Sequence, residues 1–328
     1  MIETNNSKIA GISVCVPKNV INNKNRLQIK DKDQFINLTG VKKHYLDEKK
    51  KFNTSDLCLR AAEEIIKRLN WKKKDINFLI FVSQSRDYVL PASSCILQEK
   101  LKLKKNIFTI DIPLGCSGYV YGLYNAFLIS KNMKSKGLLL SGDMSSKFIN
   151  MLDQKYFGLF GDAGSATAIE YSQTNNNVSN FVFCTDGSGY ENLIFKSNGF
   201  ETKKGTHLEM KGSKIFEFAI NEVPKQIKSL LNKKNLNIND VDFYILHQAN
   251  KFLIESIIKK IEIPTIKNLT SIEKFGNTNS ASIPVTILNN KKKLKNVKVL
   301  ISGFGVGYSW ASALIKLNNI KLTNLIKI

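Results

Sequence analysis

A duplicated α/β fold, with largely parallel sheets covered by helices, is what this chain of 328 residues predicts. Amphipathic stretches alternate with short apolar runs, the pattern of helices set between buried strands. The order of these elements recurs in the second half of the chain. One spacing is also identical in both copies: Cys116 to Gly142 and Asn277 to Gly303 each span 26 residues.

The elements follow in order. The stretch KIAGISVCVPKN near the N-terminus is β-like. LCLRAAEEIIKRLNW (57–71) has the apolar spacing of a helix and leads through three lysines into the apolar run DINFLIFVSQ (75–84). A second apolar run, 107–112, ends at a turn, Gly115-Cys116-Ser117-Gly118, and the apolar face then continues for several helical turns. GLLLSG (137–142) closes the first copy as a strand. A boundary falls near 171–179 (YSQTNNNVS), dividing the chain into halves 1–172 and 173–328. The second copy repeats the pattern. A helix over 216–238 leads into DVDFYILHQA (240–249), the turn Gly276-Asn277-Thr278-Asn279 opens a helix, and VKVLISG (297–303) is the closing strand. The period is too long for a solenoid.

Composition bounds the function. With 43% hydrophobic and 23% charged residues the chain reads as an ordinary soluble globular protein. No run approaches the roughly 20 apolar residues that span a bilayer. The N-terminal stretch lacks the basic and apolar regions of a signal peptide, so a cytoplasmic protein is expected. Five scattered cysteines (Cys15, Cys58, Cys95, Cys116, Cys184) show no CxxC or His/Cys cluster. That pattern argues for reduced thiols and against a disulfide framework or zinc site. The net charge of +22 is nearly all lysine, with arginine only at 26, 60, 68 and 86. Dispersed lysine without interleaved aromatics is a solvated surface that attracts acidic partners, and no nucleic-acid partner is expected.

Three residues stand where chemistry is usually placed. Cys116 lies at a strand-to-helix junction, where free N–H groups and the helix dipole favour a thiolate; a buried structural thiol is the alternative. The other four cysteines fall in apolar or helical patterns and are assigned to packing. His247 ends an apolar strand, the end at which α/β proteins place function, whereas His44 and His207 sit in less patterned surroundings. Asn277 lies in a Gly/Asn turn before a helix, where capping is the plain alternative. Gly303, Gly305 and Gly307 in ISGFGVGYSW form half of a dinucleotide loop with no βαβ unit following. They suit a loop of backbone N–H groups facing an oxyanion better.

GCSGYVYGL, FGDAGSATAIE (160–170), LHQAN and GNTNSASIP, in that order, resemble the β-ketoacyl-acyl carrier protein synthase III family of the thiolase superfamily. The resemblance runs over essentially the whole chain. It implies thiolase-like halves in a layered αβαβα arrangement, with the nucleophile in the first half and the histidine and asparagine in the second. It implies that Cys116 takes an acyl group as a thioester. The N–H groups of Cys116 and Val306 would form the oxyanion hole, and His247 and Asn277 would assist decarboxylative condensation with a malonyl thioester. Substrate contacts are implied at Phe35, Leu90, Met210, Gln248, Asn250, Lys251, Phe304 and Gly305. The implied partners are an acyl carrier protein, an acyl-coenzyme A or acyl-carrier-protein donor and a second copy of the chain. No metal or redox cofactor is implied. No arginine follows Arg86, and Lys251-Phe252 stands where the family often has an arginine, so either donor form remains open. Two other functions remain open: an acyltransferase passing the Cys116-bound group to an oxygen or nitrogen acceptor, and a basic binding module with a vestigial site.

Overall fold

The computed structural model describes residues 1–150, 152–173, 178–196 and 208–328. Its architecture is two mixed sheets and three helical layers. The strands of these two sheets are β1 (Ile2–Thr4), β2 (Ser7–Val16), β3 (Ile76–Val82), β4 (Phe108–Ile112), β5 (Lys136–Asp143) and β6 (Ala163–Tyr171). They continue with β7 (Ser179–Thr185), β8 (Phe243–Leu246), β9 (Val297–Gly305), β10 (Ser309–Leu317), β11 (Lys321–Leu322) and β12 (Ile326–Lys327). The helices used below are α1 (Thr54–Arg68), α2 (Gly118–Met133), α3 (Gly212–Lys233), α4 (Lys251–Ile261) and α5 (Ser282–Asn289).

The first sheet runs β11-β2-β6-β5-β3-β4, with β12 also on β2, and the second runs β1-β7-β10-β9-β8. The two halves therefore exchange their ends. β1 joins the second sheet, and β11 and β12 join the first.

Parallel pairing is less general than the alternation of strands and helices predicts. β3 is parallel to both β4 and β5, and β8 to β9, but β2-β6, β5-β6, β9-β10, β7-β10 and β1-β7 are antiparallel. For β9 and β10 the reason is connection length. Three residues join β9 to β10, which permits only a hairpin, whereas parallel neighbours need a crossover.

The period-two alternation of β3 explains the layers. Phe78, Ile80 and Val82 face the central core, while Leu79 and Phe81 face the outer one; a register shift between Ile76 and Phe78 turns Ile76 to the outer side as well. In the central core they meet Tyr119, Val120, Leu123 and Phe127 of α2, Ile283 and Ile287 of α5, and Val299 and Ile301 of β9. α1 covers the outside of the first sheet through Leu57, Cys58, Ala61, Ala62 and Ile65, its start fixed by a capping box between Asn53 and Asp56. α3 and α4 cover the second sheet with Phe218, Val223, Ile227, Leu253, Ile254 and Ile257. The layers are thus α-β-α-β-α. Cys116 immediately precedes the central helix α2, and Asn277 lies a few residues before its counterpart α5. One end of the central layer gathers the chemistry.

Candidate active site

Cys116 is buried, with 7% of its surface exposed, between the start of α2 and the end of β9. Glycines let β9 come this close. A Cβ on Gly305 would stand 2.8 Å from Cys116 Sγ, and one on Gly303 would stand 2.7 Å from the Cys116 carbonyl oxygen. The hairpin behind is tied in place by Ser117 and Ser309, whose hydroxyls lie 2.6 Å apart, and by Ser309 Oγ donating to the Val306 carbonyl.

The junction alone suggests a thiolate, but burial reverses that expectation. Desolvation, assisted by the Asp143 carboxylate, pushes the thiol pKa up to about 12. The backbone N–H groups of Val306 and Cys116 act on Sγ in the opposite direction without overcoming it. Two backbone donors therefore converge on the sulfur of a neutral thiol.

His247 follows β8, where its N–H donates to the Ser302 carbonyl at 2.7 Å. Its ring is buried, with Nδ1 2.8 Å from Ser282 Oγ and Phe304 edge-on at 5.6 Å. Burial pulls the imidazole pKa down to about 3, against the Asn279 backbone carbonyl, so the ring is neutral at physiological pH. Asn277 is held on its backbone by residues 159–161: its N–H donates to the Leu159 carbonyl, and its carbonyl accepts from Gly161. Its Oδ1 accepts the Asn279 N–H at 3.0 Å, which leaves Nδ2 as its free donor.

Cys116, His247 and Asn277 line one cavity of about 460 Å³, together with Val306, Phe304, Gly305, Met210 and Asn250. Asn250 also caps α4, its Oδ1 accepting the Leu253 N–H. Four other sequence candidates lie outside this lining. Phe35 packs in a small cluster with Leu27 and Phe157. Leu90 is 83% exposed. Gln248 turns inward, its Oε1 accepting the N–H groups of Ser271 and Ile272. Lys251 lies against Gly40 and borders a separate groove with Lys42 and Glu273.

Cys95 is exposed, contrary to the packing role expected for it, because its helix (Ser93–Lys100) lies near the sheet edge, with its thiol beside Thr109 of β4. His44 is fully buried, its ring nitrogens 2.6 Å from the Phe160 carbonyl and 3.0 Å from Asn23 Oδ1, which makes it a structural joint. His207 and residues 174–177 of the expected boundary lie outside the described residues.

Three residues went unnoticed in the sequence. Asn279 turns its Oδ1 toward Cys116 Sγ at 3.9 Å and donates from Nδ2 to Ser145. Gln84 lines the cavity beside Gly115. Asp143 is fully buried and accepts from Ser83, Gln84 and Ser85 with one oxygen and from the Ser280 N–H and hydroxyl with the other. A carboxylate closing the apolar strand GLLLSGD was the available signal, since a buried charge needs partners.

Among the described residues, no group of three His, Cys, Asp or Glu is placed to hold a metal ion, and no helix is long and apolar enough to cross a membrane.

Two family models match the chain. Residues 110–187 match 3-oxoacyl-[acyl-carrier-protein (ACP)] synthase III, and residues 231–317 match its C-terminal part. The chain is 32% identical to the beta-ketoacyl-[acyl-carrier-protein] synthase III of Lactococcus lactis subsp. lactis, over 95% of this chain and 99% of that one. A Clostridium perfringens protein of the same name is also 32% identical over the same shares. The crystal structure of a 3-oxoacyl-(acyl-carrier protein) synthase from Burkholderia xenovorans superposes with a TM-score of 0.93 at 32% identity, over 100% of this chain and 98% of that one.

Proposed function

The chain belongs to the 3-oxoacyl-[acyl-carrier-protein] synthase III family, and we propose that it condenses a Cys116-bound acyl group with a malonyl thioester of an acyl carrier protein, in fatty acid or related acyl-chain synthesis. The observation that carries this reading is the meeting of two donor pairs in one cavity: backbone N–H groups at the thiol, and His247 with Asn277 beside it.

In the first step Cys116 Sγ attacks the acyl thioester, its proton leaving with the departing thiol. The N–H groups of Cys116 and Val306 hold the oxyanion. The scheme uses the tautomer in which Nδ1 accepts from the Ser282 hydroxyl, 2.8 Å away, and Nε2 carries the ring proton. Nε2–H and Asn277 Nδ2–H then bind the malonyl thioester carbonyl. Carbon dioxide leaves, enolate charge settles on that oxygen, and the carbanion attacks the Cys116 acyl carbon. The 3-ketoacyl product departs, and the Cys116 thiolate recovers a proton from water. No cofactor enters this scheme.

The lysine-rich surface suits an acidic carrier protein, with Lys211 and Lys214 flanking Gly212 and Ser213 at the cavity. A homodimer in the cytoplasm is the proposed working form. Among the described residues β4 is an edge strand paired only with β3, and it exposes Phe108 and Ile110 near a loop exposing Tyr88, Val89 and Leu90. A second copy on that edge would cover all five.

Intact-protein mass spectrometry with a panel of acyl-coenzyme A and acyl-carrier-protein donors tests the reading. An acyl mass on the wild type that is absent from Cys116→Ala supports it, and no adduct from any donor overturns it. Malonyl-dependent carbon dioxide release that survives Asn277→Ala would favour simple acyl transfer over condensation.

A further inference from the structure

Gln84 lines the cavity with Cys116, yet the scheme above gives it no task. Its position is fixed from the backbone. Its N–H donates to Asp143 Oδ1 at 2.9 Å, and Ser83 and Ser85 on either side are bound to the same oxygen. Its side chain folds over Gly115, the residue preceding the nucleophile. A Cβ on Gly115 would stand 2.1 Å from Gln84 Oε1, so only glycine there lets the amide lie beside Cys116. Among the described residues this amide makes no hydrogen bond.

Of the cavity's other polar side chains, Ser213 stands at the exposed rim and the rest are engaged at least in part. His247 and Asn277 each spend one atom on the protein and turn the other to the malonyl thioester. Asn279 is engaged by Ser145 and the thiol, and Asn250 caps α4. The backbone donors of Cys116 and Val306 serve the acyl carbonyl. Gln84 remains, with an acceptor and a pair of donors side by side. It begins the loop that carries Leu90, in the first half of the molecule, whereas the exposed rim of the cavity at Ser213 and Phe252 belongs to α3 and α4 of the second. A thioester arm entering over that rim leaves its acyl chain pointing toward Gln84.

We propose that Gln84 makes this site select acyl groups with an uncharged oxygen substituent, a hydroxyl or keto group, close to the thioester carbonyl. The inference rests on Cys116 being the acyl-carrying residue. A plain alkyl chain filling the cavity strips water from the amide and returns nothing, whereas a hydroxyl restores both donor and acceptor. A carboxylate substituent is disfavoured by the buried Asp143 carboxylate bound to the Gln84 backbone. The hydrocarbon remainder of the chain meets Leu159, Phe160, Leu193 and Leu208.

A competition experiment tests this. Wild type and Gln84→Met, which keeps side-chain length and loses the amide, receive an equimolar mixture of butyryl and 3-hydroxybutyryl thioesters of acyl carrier protein. The two acyl-enzymes, one oxygen apart in mass, are counted. The ratio does not depend on the fraction of folded enzyme, because both donors compete for the same molecules. The expected result is a preference of about 10-fold or more for the hydroxyacyl group in wild type, lost or reversed in Gln84→Met. Alkyl preference in wild type, or the same ratio in both proteins, overturns the inference while leaving the condensing function intact. No adduct in wild type from either of these donors or any other overturns both.

Discussion

The two halves put different chemistry on equivalent positions. Because the 26-residue interval is shared, the residue after Gly142 corresponds to the residue after Gly303. In the first half that residue is Asp143, a buried carboxylate surrounded by serines, and in the second it is Phe304, edge-on to the His247 ring. In strand register Val82 pairs with Ser141 and Leu246 with Ser302, so the next residue is Ser83, bound to Asp143, in the first half and His247 in the second. Duplication thus supplied one frame and two wells. The well around the thiol is polar and carries a negative charge, and the well around the imidazole is apolar. Both keep their reactive group neutral: burial and then Asp143 raise the thiol, and burial lowers the imidazole. Neutral groups suit the proposed reaction, in which one well takes an acyl group and the other donates hydrogen bonds without giving up its proton.

The division can be broken one well at a time. Cys116→Ala should abolish the covalent acyl adduct completely, read by intact mass. Asn277→Ala or His247→Ala should slow malonyl decarboxylation by about 10²- to 10³-fold, measured as carbon dioxide release, while an acyl donor still loads Cys116. Equal loss of both steps would mean that the wells do not act separately.

Asp143→Asn offers an amide to the donors of Ser280 or of Ser83 and Ser85, and should lower stability by about 2–4 kcal/mol in urea titration. In the protein that remains folded, removing this charge should shift the pH profile of iodoacetamide alkylation of Cys116 toward acid. Phe304→Leu, in the apolar well, should cost about 1–2 kcal/mol in the same titration and leave that profile in place.

The smallest effect is the most diagnostic. With His247 lowered to about 3, decarboxylation should show no inflection from this residue between about pH 5 and 8, because the ring gains its second proton only near its depressed pKa. An acid limb near 6.5 that vanishes in His247→Ala would place the imidazole in a wetter site than the one described.

What was legible in the sequence follows from spacing. Cys116, His247 and Asn277 sit at the ends of elements whose apolar periodicity marks them, and the repeat brings such ends together. Side-chain direction was not legible. Gln248 and Lys251 flank Asn250 in one short motif, yet Gln248 points into the core and Lys251 into another groove. Asn279 and Gln84 reach the cysteine only through contacts between distant segments, which no local pattern encodes. The antiparallel β9-β10 pair was missed because alternation of strand and helix gives no weight to a three-residue hairpin, and the other antiparallel pairs join segments far apart in the chain.

The exchanged ends bear on how the enzyme comes into being. β2, threaded through the first sheet, is flanked on one side by strands formed from residues 321–327, and β7 of the second sheet by residues 2–4. The first sheet therefore waits for residues 321–327 before its edge is finished, whereas the edge strand of the second sheet is made long before its neighbours. Such long-range closures form late. A ribosome that has released only the first half holds a cysteine with neither its second backbone donor, Val306, nor the histidine and asparagine that would use an acyl group on it. Catalytic competence arrives with the closing of the sheets, so a truncated product is inert rather than half-active.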